Sequence, residues 1–330
     1  YPVGLNLLQA PENIPPETVA SQALSVVRKM FDESWSATRM EDALYAAFIA
    51  LVGTEGTSVL DIHRLFVDSG FRTQILRTIS DPIALEFWYD EYEPASDSFQ
   101  REMARPISNR IRKFYRNRKI RNVIGQSRSL NFREIIDNKK IFIANLSGLS
   151  DIEAETLGAL LISKFQVAAM SRGASSLFEP TDFYLHIDEV QSFITTSLPK
   201  AYSEASKYGL RLVTANQYMG QLQGRTLAAI MGNVGSTIIF RVGARDANAL
   251  AQFVQPQFSP RDLVNLSRFN AIVKTQFLGE TLPAFSMDTL PPIVTPTDAV
   301  QRTSRIRELS RRSIARPREQ IDAELDARYR

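Results

Sequence analysis

Apolar positions recur at helical spacing from residue 17 to about residue 130, as in TVASQALSVVRKMF (18–31) and MEDALYAAFIALV (40–52). Helix starts are written into the same stretch. Thr38 with Glu41, and Ser58 with Asp61, match the capping-box spacing. Asp81-Pro82 supplies an N-cap and a first-turn proline ahead of IALEFWYDEY. No strand-like run interrupts the region, which predicts an all-helical domain. Trp35 and Trp88 fall within apolar helical patterns and are expected in its core.

The pattern then changes. KIFIANL (140–146), FYLHID (183–188), LRLVTA (210–215), STIIFRV (236–242) and AIVKTQF (271–277) are short, apolar and β-rich. Helical segments separate most of them, notably IEAETLGALLISKFQVAAM and KAYSEASKY. Strands alternating with helices predict an open, mostly parallel α/β sheet. Near-continuous apolar strands predict that both of its faces are covered. On that reading His186, inside one such strand, is a core histidine, whereas His63 in VLDIHRLF lies on a helix surface. From residue 291 the composition shifts to a proline-rich linker, then to an arginine-rich tail expected to be flexible. A short helix begins at Pro317.

Composition excludes several chemistries. There is no cysteine, so disulfides and thiolate metal sites are ruled out, as suits a reducing cytoplasm. The two histidines lie far apart in sequence, which argues against a histidine metal cluster. No apolar run reaches the roughly 18 residues of a membrane span, and the N-terminus is not a signal peptide. Net charge is only +3, but it is unevenly placed. Residues 100–121 hold nine Arg or Lys against one Glu, and residues 301–318 hold seven Arg against one Glu. Ile107, Ile111 and Phe114 give the first stretch an inward apolar face, leaving Arg110, Arg112, Arg116 and Arg118 for solvent or for a polyanion.

One motif points to chemistry. The strand at 183–187 runs into Asp188 and Glu189, as a Walker B strand does, with its Asp directed to Mg²⁺ and its Glu to the attacking water. A buried strand leading into an acidic helix cap reads equally well from these residues alone. The next strand ends at Asn216 and Gln217, and ligands of open α/β sheets bind beyond the carboxyl ends of strands. Arg241 ends a further strand and Arg245 begins the helix after it; either suits an arginine finger or a surface ion pair. No G-x-x-x-x-G-K-[ST] loop occurs among the 330 residues, so half of an ATP site is present without its other half.

The motifs YPVGLNLL, WSATRMEDALYAA, DPIALEFWYDEY, KIFIANLSG, LHIDEVQSF, SEASKYGLRLVTANQYMGQL and GNVGSTIIFRVGARDA occur in that order. Together they resemble the HerA/FtsK-type motor ATPases, and within these the type IV secretion coupling proteins of the TraD/TraG kind. The resemblance spans roughly residues 1–290. It implies a RecA-like α/β domain with an inserted all-α domain: residues 1–16 as a fragment of the nucleotide-binding domain, 17–130 all-α, 131–290 RecA-like with the Walker B strand, and 291–330 linker and tail. It also implies that the chain begins after its Walker A loop. ATP and Mg²⁺ are the implied cofactors, with Asp188 the Mg²⁺ residue, Glu189 the general base and Gln217 the sensor. Relatives in the FtsK branch carry an arginine where this chain has Thr237, so Arg241 and Arg245 are candidates only. Implied partners are DNA, further subunits in a hexameric ring, and a relaxase or secreted protein on the all-α domain. The implied location is cytoplasmic, at the inner membrane through an absent N-terminal segment or a partner. Rival readings are a substrate-recognition adaptor and a catalytically degenerate structural subunit.

Overall fold

The structure, a computed structural model, describes residues 1–330 except 12, 30–37, 53, 175–179, 223 and 330. Trp35 therefore lies outside the described residues, as do the side chains of Thr38, Arg110 and Phe114.

The first half is helical, as its periodicity requires: α1 Pro16–Lys29, α2 Thr38–Val52, α3 Ile62–Val67, α4 Ser69–Leu76, α5 Pro82–Glu86, α6 Asp97–Arg116, α7 Arg118–Ile124 and α8 Phe132–Asp137. The local start signals act as written. Ser58 and Asp61 close their capping box around a single 3₁₀ turn. The Asp81 side chain accepts from Ile83 N–H ahead of Pro82. Trp88 and Tyr92 are fully buried, and Tyr92 stands edge-on to Phe66 with centroids 5.4 Å apart while its hydroxyl donates to the Phe66 carbonyl at 2.7 Å. Such ring pairs supply contact beyond their buried area.

The N-terminal segment is threaded through this half. Leu5 N–H donates to the Val123 carbonyl (2.9 Å), and Leu130 N–H donates to the Gly4 carbonyl (3.1 Å). Gly4 is required there, because a Cβ would stand 2.1 Å from the Arg128 carbonyl oxygen. The segment then meets α9 (Asp151–Met170), a helix apolar all round and buried nearly all round. Lys164 of α9 lies inside this contact. Its Nζ donates to the carbonyls of Leu7 (3.2 Å) and Gln9 (2.8 Å), and burial pulls its pKa from 10.5 to about 7.

The second half is α/β. Strand β1 (Phe183–Ile187) pairs in parallel with β2 (Leu210–Thr214), from Phe183 opposite Leu210 to Ile187 opposite Thr214. Helices α10 (Leu198–Glu204), α11 (Gly224–Asn233), α12 (Ala244–Val254) and α13 (Pro260–Val264) follow in order. A second sheet, in the order β3 (Thr237–Ile239), β4 (Asn270–Lys274), β7 (Phe285–Asp288), is antiparallel. Its direction follows from a tight connection: β5 (Gln276–Phe277) and β6 (Glu280–Thr281) form a hairpin turned by Leu278 and Gly279, both at positive φ.

Three expectations need correction. Residues 140–146 carry a strand-like sequence but pair with nothing, and Ile141 and Ile143 are 91% and 81% exposed. A strand needs a partner ladder, and β1 offers its pairing to β2. Between Phe142–Leu146 and β1 lies a groove of about 370 Å³, floored by Leu161, Ile162 and Phe165 of α9. The sheet is therefore covered on one face only. Ile187 turns inward, whereas Tyr184, His186 and Asp188 alternate onto the open face, so His186 is exposed rather than a core residue. Finally, the arginine-rich stretch is helical: α14 spans Ala299–Ile314, with Arg302–Asp298 (3.3 Å) and Arg312–Glu308 (2.8 Å) at i,i+4 spacing. Helix α15 (Arg318–Tyr329) returns to the helical half and buries Ile321 and Leu325 in its core.

Candidate nucleotide-facing site

The parallel pair brings the carboxyl ends of β1 and β2 together. Val190 N–H donates to the Ala215 carbonyl (2.9 Å) and Ala215 N–H to that of Ile187 (3.0 Å), so the ladder continues past both strand ends. Just there the backbone of Glu189 turns left-handed, with φ 51° and ψ 50°. A non-glycine residue held in that region costs of order 1–3 kcal/mol and is kept only where its surroundings fix it. The turn aims the Glu189 carboxylate across to β2, where Gln217 Nε2 donates to its Oε1 at 2.9 Å. Gln191 Nε2 donates to the other oxygen. Glu189 is half-buried, and Asp188 beside it is exposed, with one oxygen accepting from Glu189 N–H at 3.0 Å.

Asp188, Glu189 and Gln217, 29 positions apart at the extremes of sequence, thus form one group. Gln191 is the member that sequence reasoning missed. Its signal was its place two residues after Glu189, which a 3₁₀ turn (Val190–Phe193) folds back onto the carboxylate. The candidate arginines do not join. Arg241 and Arg245 are exposed and make no ion pair among the described residues. Arg245 nevertheless sits in the first turn of α12, and that turn is tied to the Gln217 loop: Asp246 Oδ2 accepts from Met219 N–H at 2.9 Å.

Asp188, with its carboxylate open to solvent, suits a Mg²⁺ ion held through water. It does not make an inner-sphere site by itself, and the described residues contain no group of three acidic or histidine side chains fit to hold a metal. The triphosphate fits less well. Two carboxylates and neutral amides repel or ignore a polyphosphate, and a glycine-rich cradle with its lysine is absent from the 330 residues.

Of the basic candidates, Arg112 and Arg116 are exposed on α6. Arg118 opens α7 but its guanidinium is already forked onto Asp322 of α15, which also accepts from Asn122 at 2.8 Å. Among the described residues, no helix is long and apolar enough to cross a membrane.

No family model matches the sequence, and no curated protein matches it. A solved structure does match in fold: the bacterial conjugative coupling protein TrwBdeltaN70, in its unbound monoclinic form, with a TM-score of 0.53. The sequences are 15% identical, and the match covers 86% of this chain and 70% of that one. At that identity the likeness is one of fold. It supports the α/β fold class that the sequence led us to expect, with a small parallel sheet, β1–β2, in place of the mostly parallel one expected.

Proposed function

We propose that residues 1–330 are part of an ATP-driven motor of the conjugative coupling type, which moves DNA or a protein–DNA conjugate. The observation that carries the reading is the Glu189–Gln217 contact at the carboxyl ends of two parallel strands, with Asp188 open beside it. In such a site Glu189 takes the proton of the attacking water. Gln217 and Gln191 hold its carboxylate in place, and Asp188 positions Mg²⁺ through water. Bound ATP·Mg²⁺ supplies the reactive phosphoryl group, and its cradle comes from polypeptide outside these residues. Residues 17–130 form the inserted all-α domain on this reading, which also has Arg241 or Arg245 reach a neighbouring subunit's nucleotide in a HerA/FtsK-like hexamer around DNA. The fold likeness to a conjugative coupling protein supports the reading.

The test is turnover in residues 1–330 joined to a P-loop-bearing polypeptide. Glu189→Gln leaves ATP binding intact and lowers the rate by roughly 10²–10⁴-fold, the usual cost of losing a general base. Turnover close to wild type removes Glu189 from the role. Strongly salt-dependent DNA binding separates this reading from its rival, an adaptor, which lacks it.

A further inference from the structure

In the helical half, three elements bring cations together that the nucleotide-facing site does not use. His63, Arg64, Val67 and Asp68 come from α3 and its C-cap, Arg112 from α6, and Arg328 and Tyr329 from α15; together they line a cleft of about 510 Å³. Three guanidiniums and an imidazole thus face one carboxylate. Two of the guanidiniums are fixed before any ligand arrives. Arg64 lies over the Phe71 ring at 4.0 Å, donates to the Arg328 carbonyl at 3.2 Å and reaches Asp68 at 3.4 Å. Arg328 donates to the Gly125 carbonyl at 3.2 Å and stands 3.6 Å from buried Asp61. Arg112 is exposed and has no ion-pair partner among the described residues. His63 is half-buried, with Nδ1 2.7 Å from Ser108 Oγ, which leaves Nε2 for the cleft.

We propose that this cleft is a phosphate-binding site. Donors converge on it from three separate elements, which suits a tetrahedral group with several oxygens better than a planar carboxylate with two. Guanidinium forks match phosphate geometry. The cleft is wide enough to hold the phosphate together with what it esterifies. The site needs no nucleotide at Glu189, so it stands whether or not the motor reading does.

Electrostatics supplies the readout. Burial, and then the Arg112 charge, hold the His63 pKa below the usual 6.5. The other groups facing it are Arg64 and Asp68 on α3, Asp61 before it, and Arg328 and Tyr329 on α15. A bound phosphate reverses the balance and raises the His63 pKa, so affinity falls as pH rises through that value. The chain has two histidines, and His186 on open β1 serves as the internal control.

The experiment is an imidazole NMR titration of the 330-residue chain with inorganic phosphate, repeated with a short single-stranded oligonucleotide. Saturable shifts at His63 but not His186, with a raised His63 pKa, are expected from phosphate. Loss of roughly tenfold or more in affinity is expected in Arg112→Gln, the scale of one charge-assisted hydrogen bond. Arg112 is exposed and has no ion-pair partner among the described residues, so this variant keeps its fold; Arg328→Gln, which uncovers Asp61, is the second variant. Binding of both probes marks a nucleic-acid backbone as a ligand, and binding of phosphate alone marks a small phosphate compound. No saturable His63 shift at millimolar phosphate overturns the site. So does an equal shift at His186, or an affinity unchanged in Arg112→Gln.

Discussion

Lys164 offers the sharpest test of the structure. Its ammonium sits in the contact between α9 and the N-terminal segment, with two backbone carbonyls and no carboxylate among its hydrogen-bond partners. With a pKa of about 7 in the folded chain and about 10.4 in the unfolded one, the unfolded state binds more protons across that window. Stability therefore rises with pH through it, by about 1.4 kcal/mol per pH unit, and falls back as pH drops toward 7. Between about pH 7 and about pH 9 the gain is about 2 kcal/mol, a large share of the 5–15 kcal/mol that holds a typical domain together. The two carbonyls favour the charged form, which makes this an upper figure. Lys164→Met fills the same space without a titrating group and leaves the Leu7 and Gln9 carbonyls short of a donor, at a cost of about 1–3 kcal/mol each. The assay is urea unfolding of both proteins at a series of pH values, read as the difference between them so that other titrating groups cancel. That difference should move in favour of Lys164 as pH rises. A flat difference across the window would refute a buried, neutralising lysine and with it the seating of residues 5–9 against α9.

Two further outcomes follow from the site. Gly158→Ala places a Cβ 2.2 Å from the Phe193 ring, just beyond the Asp188–Glu189 turn, so it should destabilise by about 1–3 kcal/mol, with a lower Tm in calorimetry. An unchanged Tm would mean that the 3₁₀ turn does not lie on α9. With Arg112→Gln in place to disable the His63 cleft, the 330-residue chain should show no micromolar binding of a non-hydrolysable ATP analogue with Mg²⁺ in calorimetric titration, and such binding would reveal a phosphate cradle at the carboxyl ends of β1 and β2.

What could be read in the sequence is what is decided locally. Ser58 with Asp61 and Asp81 with Pro82 cap their turns using neighbours a few residues away. The ends of β1 and β2 were legible because apolar runs stop where the polar group begins, and their pairing places Glu189 against Gln217. The unpaired 140–146 segment was not legible, because a strand depends on a ladder that its own residues do not specify. His186 was misjudged because an apolar run does not say how many faces of a sheet are covered. The α14 helix has no buried residue to set a period; its i,i+4 ion pairs were present in the sequence but outweighed by its arginines. The His63 cleft joins residues more than 260 positions apart, and only the return of α15 reveals it.

The two sheets have separate interiors. Ile187, Val190, Leu198 and Tyr202 close around β1, whereas Ile239, Leu250, Leu263 and Ile272 close around β3 and β4. Neither sheet shares a hydrogen-bonded strand with the other, so each can open while the other stays shut, and amide exchange should proceed at two characteristic rates. Glu189 and Gln217 belong to the first unit, Arg241 and Arg245 to the second, with the Met219–Asp246 hydrogen bond as a tether. A ligand touching both units gives up the entropy of their independent breathing. In return it fuses them into one cooperative body, and occupancy at one strand end becomes rigidity at the other.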